Sequence, residues 1–386
     1  MENQSSNVVE TPEELDAFRT QVRRFVEREL APHVDAWDEA GELPREIYLK
    51  AGALGILGLG YPEEYGGTPA SLAMRSIAIQ EIAKAGSGGL FVCLFTHSIF
   101  VQPMLALGTE EQKRRTLPSI LAGESIAACA ITEPSGGSDV ANLRTRARLD
   151  GDHFIVDGEK TFISNGVRAD FYAVAVRTGG EGARGISMLL IERDRPGFSR
   201  TALKKMGWWT SDTATLHFDA CRVPAANLMG KEGSGFRTLM ENFNGERLLM
   251  ADEACSFAEV CFEEALAWAR ERQTFGQPLI KHQVIRHKMV DMKMRLTSTR
   301  TWIEQATARM DAGDRSDPFI AELCMLKNHA GQTMRWCADQ SVQILGGMGF
   351  MRGMKSERIY RDVKGIMIGG GAEDILKELA ANKLGY

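Results

Sequence analysis

The sequence lacks the features that mark several classes of protein. Its seven cysteines include no CxxC pair, and its seven histidines form neither an HxxxH nor an HExxH string, so we predict no metal site. An odd number of scattered cysteines is typical of reduced thiols in a cytoplasmic protein. The net charge of −5 comes from interspersed acids and bases, which argues against nucleic acid as a partner.

We also find no pattern in the sequence that is typical of a targeting peptide or a membrane span. The first residues, MENQSSN, combine neither a basic start nor an apolar run, so we expect no signal or transit peptide. We judge no apolar stretch long enough to cross a bilayer and therefore expect no membrane span. Together with the cysteine pattern, this predicts a cytoplasmic location.

Three segments of different periodicity organise the chain, and they predict an α+β fold. Thr11 and Glu14 are spaced for a capping box, which begins a helical domain that we place at 1–124. Short β-prone runs separated by Asp-Gly and Gly-Gly turns follow, and they predict an antiparallel β-sandwich or barrel domain at 125–233. Long helical stretches then predict a four-helix bundle at 234–386.

Two stretches contain side chains suited to chemistry. AITEPSGGSD at 130–139 combines glycines with hydroxyls, so its N–H and O–H groups could bind a ring or a phosphate, although an ordinary surface turn has the same composition. Asn244-Gly245-Glu246-Arg247 lies in a helical stretch. Its carboxylate could act as a general base or lie on a solvated helix face.

Six segments in order resemble the acyl-CoA dehydrogenase family. They are AITEPSGGSD, EKTFISNG, KKMGWWTSDTATLHFDACRVPAANLMGKEGSGF, RQTFGQPLIKHQ, QILGGMGFMR and ERIYRDVKGIMIGGGAEDI. The resemblance implies the α, β and bundle domains described above, bound FAD and an acyl-CoA substrate. It also implies a homotetramer built as a dimer of dimers, and an electron-transfer flavoprotein as the electron acceptor.

The resemblance further implies that FAD lies between the β domain and the bundle. In the β domain, the implied FAD contacts are Cys129, Ile131, Thr132, Gly137, Ser138, Phe162 and Ser164. A second group reaches the FAD of a neighbouring subunit in the family, and it consists of Arg272, Phe275, Gln283, Gln343, Gly346 and Gly347. Gly371 and Glu373 complete the set. Phe162 stands where many relatives have Trp, and Gly371 replaces a Thr or Ser hydroxyl.

The catalytic base departs from the commonest family pattern. Many members use a Glu in an EGT string, where this chain has Gly369-Gly370-Gly371. The isovaleryl-CoA and long-chain types instead carry the base on a bundle helix, and the resemblance to them implies Glu246. Gly369 keeps an N–H that could donate to the thioester oxygen. The implied substrate contacts are Ser138, Asn244, Arg247, Gly369 and Gly370, with Arg247 either touching substrate or orienting Glu246.

The predicted reaction is FAD-dependent α,β-dehydrogenation of an acyl-CoA thioester to a trans-2-enoyl-CoA. Two alternatives share the fold: a flavin-dependent monooxygenase or oxidase, and a homologue that binds acyl-CoA without catalysis. The monooxygenases and oxidases usually lack or reassign the base, so Glu246 weighs against them.

Overall fold

The computed structural model describes residues 8–386, so the first residues of the expected amino-terminal domain lie outside it. The helical start is as predicted: Thr11 Oγ1 accepts from the Glu14 N–H at 3.2 Å, and Glu14 Oε2 accepts from the Thr11 N–H at 2.7 Å. The amino-terminal helices are α1 (Pro12–Phe25), α2 (Val34–Ala40), α3 (Arg45–Ala53), α4 (Leu72–Ala83), α5 (Gly88–Phe95), α6 (Ser98–Leu107) and α7 (Glu110–Leu121).

Helices α2 and α3 were not predicted. The structure shows that Gly41, with φ +69°, ends α2 and that α3 begins directly after Pro44. The glycine and the proline therefore delimit two short helices, which is their usual role at helix ends.

The segment Gly88–Leu107 corrects the expectation that no apolar stretch is long enough for a membrane span. By length and composition it could cross a bilayer. However, 61% of its most apolar window is buried inside the protein, and Thr96 and His97 break it into α5 and α6. Its apolar character is accounted for by its position in the protein core.

The middle of the chain forms one eight-stranded sheet. Its strands are β1 (Ala127–Ala130), β2 (Arg146–Asp150), β3 (His153–Ser164), β4 (Phe171–Arg177), β5 (Ile186–Glu192), β6 (Phe198–Ala202), β7 (Thr213–Pro224) and β8 (Leu228–Met229). The strand order is β6-β7-β3-β2-β4-β5-β8, and β1 also pairs with β4. Most neighbours are antiparallel, as predicted, but β1 joins β4 in parallel and β2 meets β4 in parallel at one pair of residues.

The carboxyl-terminal part is the predicted helical bundle with one helix more than expected. The additional helix, α11 (Lys355–Ile368), buries Ile359, Val363 and Ile366 along one face. This segment was predicted only as a motif of the family resemblance and not as a helix. A short hairpin of β9 (Gln273–Thr274) and β10 (Gln277–Pro278) follows the first helix. The helices are α8 (Gly235–Glu271), α9 (Gln283–Asp311), α10 (Asp317–Leu345), α11 (Lys355–Ile368) and α12 (Glu373–Leu384).

The change from helix to strand falls between α7 and β1, and the change back falls between β8 and α8. The expected domain limits at 124 and 233 lie in these two gaps and stay predictions. Gly235 begins α8 against β5, where an added Cβ would lie 2.9 Å from the Ser187 carbonyl carbon. The long helix therefore starts in close contact with the sheet and continues into the bundle.

A buried carboxylate fastens α1 to α4. Glu81 is fully buried and pairs with Arg23 at 3.0 Å, Lys84 at 2.8 Å and Arg19 at 3.2 Å. Burial opposes ionisation, but the hydrogen bonds from Arg23 and Lys84 prevail and lower the pKa of Glu81 to about 2.

We predict that Glu81→Gln destabilises the protein. Its folded-state pKa lies below the ordinary 4.5, so the stabilisation is complete above that pH and disappears as the pH falls towards about 2. The loss in free energy of unfolding near neutral pH should be about 2 kcal/mol, because three cations lose their shared partner but stay partly hydrated. Urea denaturation at several pH values measures it. A deficit that does not shrink below pH 4.5 would contradict this assignment.

Candidate active site

A buried ion pair holds the turn that follows β1. Glu133 accepts from Lys160 Nζ at 2.8 Å and from the N–H groups of Arg144 and Thr145 at 2.6 and 2.8 Å. Lys160 Nζ also donates to the Ile131 carbonyl at 3.0 Å. Burial lowers the pKa of Lys160 to about 8, so both partners are charged at neutral pH. The pair therefore fixes the backbone of the turn to β3.

Ligand-binding groups of the same turn are unused by the protein. The Thr132 carbonyl accepts from the Thr161 N–H at 2.8 Å, whereas the Thr132 hydroxyl forms no hydrogen bond within residues 8–386. Gly137 and Ser138 are exposed, and their N–H groups donate to no residue in that same range. The turn thus presents one hydroxyl and two amides that a bound molecule could use.

Phe162 is the most unusual residue near this turn. It has φ +60° and is 70% exposed, a combination that is unfavourable for a bulky aromatic residue. The pairing of β3 with β7 shifts register between Lys160 and Ile163, and this bulge turns the Phe162 ring outward. Ser164, the last residue of β3, and Cys129, within β1, are both half-buried.

Glu246 occupies a half-buried position on α8. Ser98, at the start of α6, donates to its Oε2 at 3.1 Å. Burial raises the pKa of Glu246, while the Arg75 guanidinium and the Ser98 hydroxyl act in the opposite direction. The carboxyl group is thus sheltered by protein, has one fixed donor and is a stronger base than a hydrated glutamate.

The glycine loop after α11 meets α8 one turn beyond Glu246. A Cβ added at Gly370, which has φ +65°, would lie 2.5 Å from the Met250 sulfur, and one at Gly369 would lie 3.7 Å from the Met250 methyl carbon. Residues four apart lie on the same face of a helix. The vacant family position at Gly369 and the carboxylate of Glu246 therefore lie on the same side of α8.

The role of the Gly369 N–H as a donor to the thioester oxygen stays a prediction. In this structure the N–H donates to the Gly365 carbonyl at 2.8 Å. The bond closes the last turn of α11, which ends at Ile368. A thioester would have to displace this bond or use a different donor.

Arg247 bonds to Asn244 and not to Glu246. Its guanidinium is buried, donates to Asn244 Oδ1 at 2.8 Å, and leaves Nε without a partner among the described residues. It forms no ion pair in that part of the chain. Lys327 donates to the Gly371 carbonyl at 2.9 Å, so the loop is also held from α10. The structure therefore brings Arg247 and Asn244 together without joining either to the base.

The remaining predicted cofactor contacts lie on the surface of the bundle. Phe275 is 97% exposed at the tip of the β9–β10 hairpin, with φ +49° followed by Gly276 at +78°. Glu373 is half-buried and bonds to Gln332 and Lys377. Within residues 8–386, no hydrogen bond joins the β-domain turn to the exposed group, Arg272, Phe275, Gln283, Gln343, Gly346 and Gly347.

Several residues of the site were missed by the sequence analysis. Ser98 and Arg75 stand in stretches that contained no motif, and only their packing against α8 reveals them. Glu133 and Lys160 were inside two of the quoted strings, but the strings do not show that the two charges meet. Among the described residues, no group of three metal-ligating side chains occurs.

Three models of the acyl-CoA dehydrogenase family match the chain: the amino-terminal domain at residues 12–124, the middle domain at 128–221 and the carboxyl-terminal domain at 233–385. The chain belongs to the acyl-CoA dehydrogenase family. Its members are flavoprotein oxidoreductases, and the chain is an enzyme of this class.

Relatives of this acyl-CoA dehydrogenase match along nearly its whole length. The long-chain specific mitochondrial enzyme of Rattus norvegicus is 36% identical and aligns over 96% of this chain and 86% of its own. A putative acyl-CoA dehydrogenase structure from Mycobacterium smegmatis is 44% identical, with a TM-score of 0.94 over 97% and 98% of the two chains. A structure described as the electron transferring flavoprotein of Acidaminococcus fermentans is 33% identical, with a TM-score of 0.90 over 98% and 99%.

We predict that Lys160→Met destabilises this acyl-CoA dehydrogenase by about 3 kcal/mol, because it leaves the Glu133 carboxylate buried without its cation. Guanidinium denaturation measures the change. The exposed Lys231 provides the control, and Lys231→Met should change the free energy of unfolding by less than about 0.5 kcal/mol. Equal effects of the two substitutions would show that the buried pair does not hold the turn.

Proposed function

We propose that this enzyme uses FAD to convert an acyl-CoA thioester into a trans-2-enoyl-CoA, with Glu246 removing the α-proton. The observation that supports the proposal best is the position of this carboxylate. It is half-buried, bonded to Ser98 and directed to the side of α8 that faces the Gly369–Gly371 loop. A sheltered base near a loop that carries no competing side chain suits proton removal from a bound thioester.

The β-domain turn and Phe162 fit a flavin. An isoalloxazine has a flat apolar surface and a polar edge, and the protein offers an exposed aromatic ring together with the Thr132 hydroxyl and the Gly137 and Ser138 amides. Ile131, Cys129 and Ser164 adjoin this area. When bound, the flavin supplies an acceptor for the β-hydrogen as hydride. Arg272 is suited to the diphosphate because its guanidinium keeps its charge.

Glu246 has two tasks that its surroundings balance. It must be ionised to accept the α-proton, and it must be basic enough for the transfer to be favourable. Burial raises its pKa, which strengthens the base, and the Ser98 hydrogen bond and the Arg75 charge keep the ionised form accessible. Ser98 also fixes one carboxylate oxygen, which leaves the other free to receive the proton.

The proposal includes a homotetramer, an electron-transfer flavoprotein as the electron acceptor and a cytoplasmic location. Large apolar side chains are exposed on α9 and near the Gln343–Gly347 segment: Val284, Val290, Met294, Phe350 and Met351. Such surfaces favour association, which supports a homotetramer. The likeness to the A. fermentans structure supports an electron-transfer flavoprotein as acceptor. All seven cysteines are free, which supports a reducing, cytoplasmic location.

We predict that Glu246→Gln abolishes flavin reduction by acyl-CoA, lowering its rate by about a hundredfold or more, because the amide cannot accept the α-proton. Anaerobic stopped-flow bleaching of the flavin band measures the rate, and titration of the flavin spectrum with enoyl-CoA checks that ligand binding persists. Glu241→Gln is the matched control, since Glu241 is exposed on the same helix. If the Gln variant reduces its flavin at the parental rate, the base has been assigned to the wrong residue.

The same measurement gives a pH dependence. Because burial raises the pKa of Glu246 above the ordinary 4.5, the wild-type rate should decline with falling pH through a midpoint above that value. Ser98→Ala removes a hydrogen bond to the ionised form, so its midpoint should move to higher pH. A midpoint that stays unchanged would mean that Ser98 does not act on the base.

We further predict opposite effects at Phe162. Phe162→Gly should raise the apoprotein free energy of unfolding by about 1 kcal/mol, because glycine tolerates φ +60°, and should weaken FAD binding by removing the ring. Phe162→Ala keeps the strain and also removes the ring, so it should weaken FAD binding without the gain in stability. Denaturation of the apoprotein and fluorescence titration with FAD measure both quantities. Unchanged FAD affinity in both variants would exclude Phe162 from the flavin site.

A further inference from the structure

A group of polar side chains faces Glu246 from the amino-terminal domain. It is built from the loop before α4, from α4 itself and from α6, and we call it the polar wall. Its members are Tyr61, Arg75, Ser98 and Gln102.

Arg75 has no partner of opposite charge in the part of the chain that the structure describes. It forms no ion pair within 4.0 Å and no hydrogen bond with any residue in the range 8–386. Its guanidinium carbon lies 5.7 Å from the centre of the Tyr61 ring, and its Cδ would lie 3.0 Å from a Cβ added at Gly60. The side chain is therefore packed at its stem while its charged end remains unpaired. Arg75 is close enough to Glu246 to lower the pKa of that carboxyl.

Tyr61 presents a second unused donor. The residue is only 3% exposed, and its hydroxyl is buried without a hydrogen-bond partner among the described residues. Arg75 and Gln102 approach this hydroxyl and act to lower its pKa. Burial raises the pKa of Tyr61 to about 12, so the hydroxyl remains a donor at neutral pH.

Unused donors of this kind imply a missing acceptor. A buried hydroxyl without a partner is destabilising, and a half-buried guanidinium is rarely left without an anion or a carbonyl oxygen. Glu246 does not fill this role, because it lies beyond ion-pair distance from Arg75 and receives its hydrogen bond from Ser98. An oxygen atom brought by a ligand would satisfy both donors at once.

We propose that the acyl group bound beside Glu246 carries an oxygen acceptor, which Arg75 and Tyr61 bind. This inference rests on the proposed function, since it concerns the acyl chain of the same thioester. A carboxylate and a hydroxyl or carbonyl oxygen share the required chemistry, because each accepts hydrogen bonds from a guanidinium and a phenol. Arg75 and Tyr61 then act as specificity residues, separate from the base.

A different role for Arg75 would leave a different trace. If Arg75 only keeps Glu246 ionised, its loss moves the pH midpoint of the rate and lowers kcat/KM by the same factor for every thioester. If it also binds an oxygen on the acyl chain, its loss lowers kcat/KM by a further factor for thioesters that carry that oxygen. The ratio of kcat/KM for two substrates of equal chain length therefore separates the roles.

The test compares sets of thioesters at two chain lengths. Pentanoyl-CoA is set against glutaryl-CoA and 5-hydroxypentanoyl-CoA, and hexanoyl-CoA against adipoyl-CoA and 6-hydroxyhexanoyl-CoA. At one length or more, the wild-type enzyme should favour an oxygen-bearing thioester by about tenfold, as expected for a charge-assisted hydrogen bond. The carboxylate and hydroxyl members show which acceptor is used.

Substitutions in the polar wall test whether it causes the preference for oxygen-bearing thioesters, expressed as the ratio of kcat/KM. Arg75→Gln should lower the ratio by about tenfold and Tyr61→Phe by about fivefold, whereas Arg24→Gln, at an exposed arginine on α1, should leave it unchanged. Binding of the corresponding enoyl-CoA products, measured by calorimetry, should follow the same order. If Arg75→Gln folds poorly in a thermal melt, Arg75→Lys keeps the charge but not the planar fork and should still reduce the ratio.

Two outcomes separate this inference from the proposed function. If the unsubstituted thioesters bleach the flavin as well as their oxygen-bearing partners do, or if Arg75→Gln slows all of them equally, the inference is wrong and the dehydrogenase reaction stands. If no thioester of either kind bleaches the wild-type flavin, the proposed function itself fails.

Discussion

The site depends on keeping one ionisable carboxylate inside a protein interior. Helix α8 begins at Gly235, which packs against β5. It places Glu246 near α6 of the amino-terminal domain and near the glycine loop after α11. Burial there raises the pKa of the carboxyl, and Ser98 and Arg75 moderate the effect. Because α8 is one continuous helix held by α10 along the bundle, the position of the base is set by the packing of the whole carboxyl-terminal domain rather than by a local loop.

In the β domain, a buried ion pair and a β-bulge hold the groups that are available to a ligand. The turn after β1 has backbone hydrogen bonds between Glu133 and Gly136, while the Gly137 and Ser138 amides donate to no described residue. The buried Lys160–Glu133 pair provides further stabilisation by fixing the turn to β3. The bulge in β3 likewise holds Phe162 in an unfavourable conformation, and the long pairing of β3 with β7 supplies the compensating stability. In both places regular structure supports groups that are left available for binding.

The glycines after α11 explain how the base can be on another element. Gly370 has positive φ and no room for a side chain against Met250, so this loop closes onto α8 instead of contributing a carboxylate. The opposite side of the site is unexpectedly polar. Near the base, the buried Tyr61 hydroxyl has no hydrogen-bond partner among the described residues, and the Arg75 guanidinium beside it has no ion pair there. The unpartnered hydroxyl is costly unless the substrate satisfies it. The base and the polar wall therefore separate the tasks of reaction and selection.

Features that depend on neighbouring residues could be predicted from the sequence: the Thr11–Glu14 capping box, the succession of helical, β and bundle segments, and the motifs that carry the family resemblance. The sequence did not reveal α11 as a helix, the break at His97 or the hydrogen bond that the Gly369 N–H makes at the helix end. The positions of Ser98, Arg75 and Tyr61 near Glu246 and the pairing of Lys160 with Glu133 could be seen only in the folded chain. These residues are far apart in the chain, and only packing, which sums many weak contacts over the whole molecule, brings them together.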